Sequence, residues 1–382
     1  MNSMIKKLIT VFANILYRTK KYKILINVFG EEHFDLIGIK YVHKSFIEVC
    51  SQKLPDYFID DDFQRRVYSL FEDEIASKSY NFTFGIFEVK QSSLEMPHGM
   101  VRVKHGLVER LMGDTSWPLN MPRYYLSFFR SYFLPIRELS NPVFINLPFD
   151  NNYYHWLIET LPRLYILELA GYGPDNVKLI IPPIGSRPSF VLDSLSLVGW
   201  NDNQDCLKSG VYTAKNLIVP SLTSPRSRIS APAADWLREK VLGSSSDVAN
   251  NFKGYERIYI ARDDAPTRRV LNSVEVDELM KKHGFVKVTM SGKKVSEQAQ
   301  ILSSAKYICG VHGAALANVV FCQKGAKLLE IFMEGLFTKA FFNLSRLRNM
   351  EYGCFLAKNV DGNLLVNTRD LDILMSTMFE PL

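Results

Sequence analysis

The sequence is short of the features that announce a chemistry at first reading. Its five cysteines, Cys50, Cys206, Cys309, Cys322 and Cys354, are odd in number, scattered and without CxxC spacing. That argues against a disulfide frame or a cysteine zinc site and points to reduced, buried thiols in a cytosolic protein. No apolar run reaches the ~20 residues that a membrane-spanning helix needs. Neither GxxxxGK(S/T) nor GxGxxG occurs, which counts against a P-loop and a standard dinucleotide site. Internal repeats and low-complexity tracts are absent. Positive charge is in modest excess, with a formal net charge of +6. Such a balance suits anionic ligands or an anionic membrane surface, but no basic, aromatic-interleaved stretch supports nucleic-acid binding. The acidic runs Asp60-Asp61-Asp62 and Asp263-Asp264 do not sit in a convincing metal-binding place.

What is present describes a folded protein. A hydrophobic share of 47% against 23% charged residues is that of a globular chain. At 382 residues two domains are expected. The first 23 residues, MNSMIKKLITVFANILYRTKKYK, are basic and amphipathic. They resemble a weak signal peptide, yet the apolar core is interrupted and no small-residue cleavage site precedes the next basic cluster. Two readings stay open, a helix lying on the cytoplasmic leaflet and an ordinary amphipathic helix packed on the protein.

Between about 30 and 135 the pattern is short and mixed. Phe82–Val89 and Met100–Val108 alternate as strands of an antiparallel or irregular layer, and Asp56–Asp62 reads as a surface loop. His98 and His105 have no partner spacing and read as surface or structural histidines. From Asn141 the texture becomes that of a parallel α/β protein. The strand Val143–Phe149 leads to a helical stretch Asn151–Ala170, then strand Val177–Ile181, helix Pro188–Val198 and strand Tyr212–Val219. A Ser/Pro/Arg-rich linker, Ser221–Ala234, and a helix Asp235–Leu242 follow. The pattern then restarts: strand Arg257–Ala261, a helix capped by Asn272 with Glu275 and ending at His283, strand Phe285–Thr289, helix Val295–Ala305, strand Tyr307–Val311, a short helix 314–321 and strand Ala326–Phe332. A last helix, Leu371–Phe379, has the option of folding back over the first domain.

Three stretches carry candidate chemistry. In Asn151–Arg163, at about 100° per helical residue, Asn152, His155 and Glu159 share one narrow arc with Arg163 beside them. Pro162 bends that helix. A histidine and a carboxylate at i,i+4 can share a proton, making His155 or Glu159 a candidate general base. The plainer alternative is a buried polar knot that fixes the helix. In Arg262–Arg269, three arginines and two aspartates follow a strand end. Guanidinium binds phosphate oxygens bidentately, so this loop can clamp a diphosphate; the alternative is a solvated loop of internal ion pairs. In Tyr307–Phe332, the His312-Gly313 turn opens a helix whose first N–H groups attract anions. Gly313 lets a ligand approach the backbone, His312 is placed to hydrogen-bond it, Asn318 lies in the helix, and Glu330 takes the strand-end position where a carboxylate commonly holds a ribose. A plain crossover with an accidental histidine is the alternative.

Together NNYYHWLIETLPRL, YIARDDAPTRRVLN and GVHGAALANVVFCQKGAKLLEIF resemble the family 61 glycosyltransferases, including bacterial capsular polysaccharide proteins of the DUF563 type. The likeness spans about 140–335, in order and spacing. It implies an α/β protein of GT-B architecture, two Rossmann-like lobes with a cleft between them: a basic N-terminal segment 1–30, an acceptor-side domain 31–225 and a donor-side domain 226–382. It implies an inverting, metal-independent transfer, with a nucleotide-sugar substrate, UDP-sugar above all, and no cofactor. On that pattern Arg262, Arg268, His312, Gly313, Ala314, Asn318 and Glu330 face the donor. His155 and Glu159 face the acceptor hydroxyl, flanked by Asn152 and Arg163. The acceptor is an oligosaccharide or lipid-linked glycan of capsule or other surface polysaccharide, and the expected location is cytoplasmic or peripheral on the inner membrane face. Two rivals share the residues: a polysaccharide pyruvyltransferase, and a non-catalytic scaffold of capsule assembly.

Overall fold

A computed structural model describes residues 27–29, 39–48, 80–96, 99–103, 106–108, 134–146, 149–181, 188–200, 204–208, 210–224, 228–244, 255–263 and 265–379. The N-terminal amphipathic stretch, Asp56–Asp62, His98, His105, Cys50 and Asp264 lie outside them. The chain divides into two compact units, one from Met1–Phe46 and Phe82–Arg226, the other from Ile47–Asn81 and Ser227–Leu382. Both are mixed α/β.

The first unit is built on a ten-stranded sheet. Its strands are β1 (Asn27–Phe29), β2 (Ile39–Glu48), β3 (Tyr80–Met96), β4 (Met100–Val103), β5 (Gly106–Val108), β6 (Ile136–Leu139), β7 (Pro142–Phe144), β8 (Lys178–Ile181), β9 (Gln204–Cys206) and β10 (Gly210–Pro220). The main path runs β1-β5-β4-β3-β10-β7-β8-β9, with β2 on β3 and β6 on β10. The sheet is mixed rather than wholly parallel. β10, β7, β8 and β9 pair in parallel, whereas β3 pairs antiparallel with β10 over Gly210↔Met96 to Pro220↔Ile86. The short-strand layer and the parallel half are therefore one sheet, joined along β10. Alternating residues of β3, Phe87 and Val89, pack with Phe144, Ile180, Leu217 and Val219 in a dry core. Two helices cover the parallel half, α1 (Arg163–Leu169) and α2 (Ser189–Leu197), and a π-helical turn, His155–Thr160, precedes α1.

The second unit opens with α3 (Ala231–Gly243), which begins inside the stretch expected as linker, where Pro232 is tolerated in the first turn. The remaining elements are β11 (Arg257–Ile260), α4 (Ser273–Lys282), β12 (Val286–Val288), α5 (Val295–Ser304), β13 (Tyr307–Val311), a 3-10 helix (Ala314–Phe321), β14 (Lys327–Met333), α6 (Ala340–Leu347), β15 (Glu351–Val360), β16 (Asn363–Leu365) and α7 (Thr368–Met378). The sheet order is β12-β11-β13-β14-β15-β16, parallel throughout except for the β15–β16 hairpin. Counted from β11, the five parallel strands lie in the order 2-1-3-4-5. This is a doubly wound sheet whose chain direction reverses between β11 and β13, and the crevice beyond the carboxyl ends of those two strands is where such sheets bind ligands.

Side-chain alternation assigns the two faces. Tyr307, Cys309 and Val311 of β13 and Leu329 and Ile331 of β14 pack with Val276, Leu279 and Met280 of α4 and with Leu371, Leu374 and Met375 of α7. Gly310 and Glu330 point to the opposite face. A Cβ at Gly310 would lie 2.9 Å from Leu316 Cδ2, so this glycine lets the 3-10 helix sit directly on the sheet. Helix α7 docks on its own unit: Asp372 pairs with Lys282 at 2.5 Å and His283 at 2.6 Å, and Lys327 Nζ donates to Met378 O. Asn272 precedes α4 as expected, but its side chain does not cap the helix. It donates to Val366 O and accepts from Val366 N, tying the helix start to the chain after β16.

Candidate active site

The first unit holds the His155 dyad. Phe149–Asn152 forms a turn in which Asn152 Oδ1 accepts from the Tyr154 N–H at 2.9 Å, so Asn152, exposed, shapes its own loop. The next turn is π-helical, closed by Leu161 N–H to Trp156 O at 2.8 Å. Such turns recur at functional positions because they re-aim side chains within a helix. Trp156 anchors it, wholly buried, its Nε1 donating to Ser194 Oγ of α2 at 2.7 Å. Above this anchor His155 Nδ1 meets Glu159 Oε2 at 2.6 Å, and the side chains are 35% and 18% exposed. A carboxylate accepts only, so Nδ1 carries the proton and the Nε2 lone pair is left basic. The Phe149 ring, 5.6 Å from the imidazole, and Tyr154, at 5.4 Å, flank it.

Arg163 does not join that pair. Pro162 interrupts the helix, and Arg163 turns inward, 2% exposed. It donates to the carbonyls of Ile145, Pro220 and Ser221, which follow or end the parallel neighbours β7 and β10. Burial lowers its pKa to about 9, against the opposing pull of Asp150, so it stays charged at neutral pH. It is a staple between the helix and two strand ends. Asp150 in turn accepts from Asn146 Nδ2 at 2.5 Å.

The second unit brings the Arg262 loop and the His312-Gly313 turn together at the switch point. A Cβ built on Gly313 would fall 1.9 Å from Arg262 Nη1 and 3.0 Å from Cζ. The tip of the guanidinium, Nη1 foremost, therefore occupies the space that a side chain at Gly313 would take. Gly313 itself is extended, with φ 175°, so it serves for closeness and not for an unusual backbone. The 3-10 helix starts here with Leu316 N–H to Gly313 O at 2.9 Å. The preceding N–H groups of the first turn have no helical acceptor and sit at the positive end of the helix. Arg262 Nη2 is steadied by Thr267 O at 3.3 Å.

The other expected donor residues are placed differently. Arg268 adopts a left-handed backbone, φ 56°, its N–H donating to Gly362 O in the β15–β16 turn, and burial lowers its pKa. Arg269 reaches Ala265 O at 2.6 Å, and Asp263 pairs with Lys287 at 2.5 Å. Asn318 is wholly buried and donates to Gln298 Oε1 and Ala315 O, tying the 3-10 helix to α5. Glu330 stands in the middle of β14 rather than at its end, and it is fully buried. It accepts from Tyr352 OH at 2.5 Å and meets His312 Nδ1 at 2.5 Å. Burial raises its pKa, the two hydrogen bonds opposing. Glu330 thus backs His312 from within the sheet. The imidazole stacks on Phe332, centroids 5.0 Å apart, with Phe341 at 5.3 Å. Nothing marked Tyr352 in the sequence, where no strand was expected over Glu351–Val360.

Two arginines close the far end of the 3-10 helix. Arg238 Nε donates to Phe321 O, and Arg348 donates to Cys322 O and pairs with Asp235 at 2.7 Å. Cations at a helix carboxyl end are favourable and hold this apolar helix in register. Among the described residues no group of three or more His, Cys, Asp or Glu gathers as a metal cage. Nor is any described helix long and apolar enough to cross a membrane.

Residues 153–329 match the family model described as Glycosyltransferase 61. No curated protein matches the chain. Among solved structures, a flavo di-iron protein variant from Thermotoga maritima aligns over 88% of this chain and 98% of its own, at 10% identity and a TM-score of 0.24.

Proposed function

We propose, from the match of residues 153–329 to the Glycosyltransferase 61 family model, that this chain transfers a sugar from a nucleotide-sugar donor, a UDP-sugar, to a glycan hydroxyl with inversion. In this reading the architecture is GT-B, the second unit holds the donor and the first supplies the base. The observation that carries it is the contact of Arg262 with Gly313 at the topological switch point of the second sheet. A guanidinium there lies beside the amino end of a helix, and the two together are the kind of donor set a diphosphate requires.

The chemistry follows from the two histidine pairs. Nε2 of His155 takes the proton of the acceptor hydroxyl as its oxygen attacks the anomeric carbon. Glu159, on Nδ1, orients the ring and stabilises the imidazolium that forms. That assigns the base to His155 and the orienting role to Glu159, between which the sequence leaves the choice open. As the bond from the anomeric carbon to phosphate breaks, the electron pair goes to the leaving diphosphate. Arg262, the N–H groups of Gly313 and Ala314, and the ring of His312 stabilise that charge. Single displacement inverts the anomeric centre. The acceptor is a capsule or other surface polysaccharide, as the family likeness implies.

A panel of nucleotide sugars tests this by release of nucleoside diphosphate and by calorimetric binding of UDP. Turnover of one or more UDP-sugars, abolished in His155→Ala, supports it. Binding of phosphoenolpyruvate with no binding of UDP assigns the chain to pyruvyl transfer instead.

A further inference from the structure

The two histidine–glutamate pairs differ in one respect that matters for phosphate. The His155 pair is partly open to solvent, while at the second pair Glu330 is 0% and His312 10% exposed. The groups that face this second pair come from several elements. Glu330 is from β14, and Tyr352 and the Cys354 thiol are from β15. The ring of Phe332 stacks on the imidazole, that of Phe341 lies tilted against it, and the Arg262 guanidinium lies against the neighbouring Gly313. Arg262 is the cation among these groups, and on the pair itself the Tyr352 hydroxyl and the imidazole offset a negative charge on Glu330.

We infer that Glu330 and Tyr352 are positioning residues that hold one shared proton on the His312 pair, so that His312 presents Nε2–H to a phosphate oxygen of the bound nucleotide. This rests on the nucleotide-diphosphate reading of the same site. The proton count gives the reason. With the shared proton the pair is either carboxylate and imidazolium or carboxylic acid and neutral imidazole. In both, Nδ1 is occupied by Glu330 and Nε2 carries hydrogen. The two forms differ only in where one proton sits along the 2.5 Å contact, and the pair bears no net charge. Without that proton the pair is an anion, Nε2 shows a lone pair, and a phosphate oxygen is repelled. Burial disfavours the anion and keeps the proton in place, in keeping with the raised pKa of Glu330. Tyr352 acts the other way: its hydroxyl donates to Glu330 Oε2, stabilises the carboxylate and sets the pH at which the proton leaves. The pair titrates as a unit.

The test uses the full chain and its Tyr352→Phe and Glu330→Gln variants. The His312 ring protons are titrated by NMR, and UDP and inorganic pyrophosphate binding are followed by calorimetry across pH. Phenylalanine keeps the ring against Phe342 and removes only the donor. The lost bond to a charged group moves the pair's midpoint, and with it the alkaline fall of anion binding, up by about one pH unit. Glu330→Gln removes the carboxylate and moves the His312 midpoint down, because a buried imidazolium has lost its counter-charge. Opposite displacements are expected of this relay and not of a packing role, which moves neither. Unmoved midpoints in both variants, or displacements of one sign, overturn the inference even if UDP binds. Opposite midpoints with no binding of UDP or pyrophosphate at any pH overturn the nucleotide reading and the phosphate-donor role of His312, and leave the proton sharing standing. Pyrophosphate binding without UDP binding rejects only the nucleotide.

Discussion

Replacing Gly313 by alanine is a one-methyl probe of the proposed donor site. The new Cβ would lie 1.9 Å from Arg262 Nη1. Carbon needs about 3.5 Å from its neighbours, so the guanidinium must retreat by roughly 1.5–2 Å. The backbone accepts the methyl: φ is 175°, a conformation that alanine adopts freely, and the three nearest atoms all belong to Arg262. The fold therefore loses little. Displacement of an arginine tip is offset by the smaller backbone entropy of alanine in the unfolded chain, and stability stays within about 1 kcal/mol of the parent. Nucleotide binding loses more. A charge-assisted bond from arginine to phosphate contributes about 1.5–3 kcal/mol, or roughly 10- to 150-fold in affinity. Calorimetric titration with UDP, beside a thermal melt, reads both numbers. The cycle with Arg262→Ala sharpens it: since alanine at 313 acts by moving Arg262, the double variant binds no worse than either single one, a strongly non-additive result. Unchanged UDP affinity in Gly313→Ala, or full additivity with Arg262→Ala, refutes the reasoning.

Other outcomes follow from the same physical arguments. Arg163→Ala leaves the carbonyls of Ile145 and Pro220 without their donor; denaturant unfolding is expected to show a loss of about 1–3 kcal/mol, above that of a surface arginine. Cys309, Cys322 and Cys354 are buried free thiols, and burial pushes the Cys322 pKa up to about 12 and raises the other two. Peptide mapping after a thiol reagent at pH 8 should find all three unmodified until the chain unfolds. Asp372 is held below the ordinary carboxylate value of 3.8 by Lys282 and His283. Its contribution is present above that pH and lost as pH falls through the lower folded value, so the melting difference between the parent and Asp372→Asn should be full near neutrality and vanish in stronger acid.

The fold was readable in the sequence wherever one apolar period ran uninterrupted between turn residues. Tyr307–Val311 and the helix beginning at Ala314 lie where the pattern placed them, because a strand buried on both faces and a glycine turn leave few alternatives. The switch point was not readable, since strand order is set by pairings between segments distant in sequence. Residue direction was harder still. The arc of Asn152, His155 and Glu159, with Arg163 beside it, allowed for a bend at Pro162 but not for a π-turn. The π-turn and Pro162 keep the i,i+4 pair together but send Arg163 inward. Glu330 was expected at a strand end; β14 runs on to Met333, which puts the carboxylate under His312. Asn272 has the residue type and spacing of a cap and its Nδ2 does reach Glu275 at 3.0 Å, yet its side-chain oxygen accepts from Val366 N–H after β16 and not from the first turn of the helix. In each case a tertiary partner invisible to local pattern decided the outcome.

The central claim is that a diphosphate-holding site in the second unit and a histidine base in the first serve one transfer reaction. It is tested most directly by measuring UDP release and UDP binding on the same three proteins, the parent, His155→Ala and Arg262→Ala. The account predicts turnover of a UDP-sugar by the parent, parent-like UDP binding without turnover in His155→Ala, and binding weakened at least tenfold in Arg262→Ala. Parent-like turnover in His155→Ala, or parent-like UDP affinity in Arg262→Ala, contradicts it.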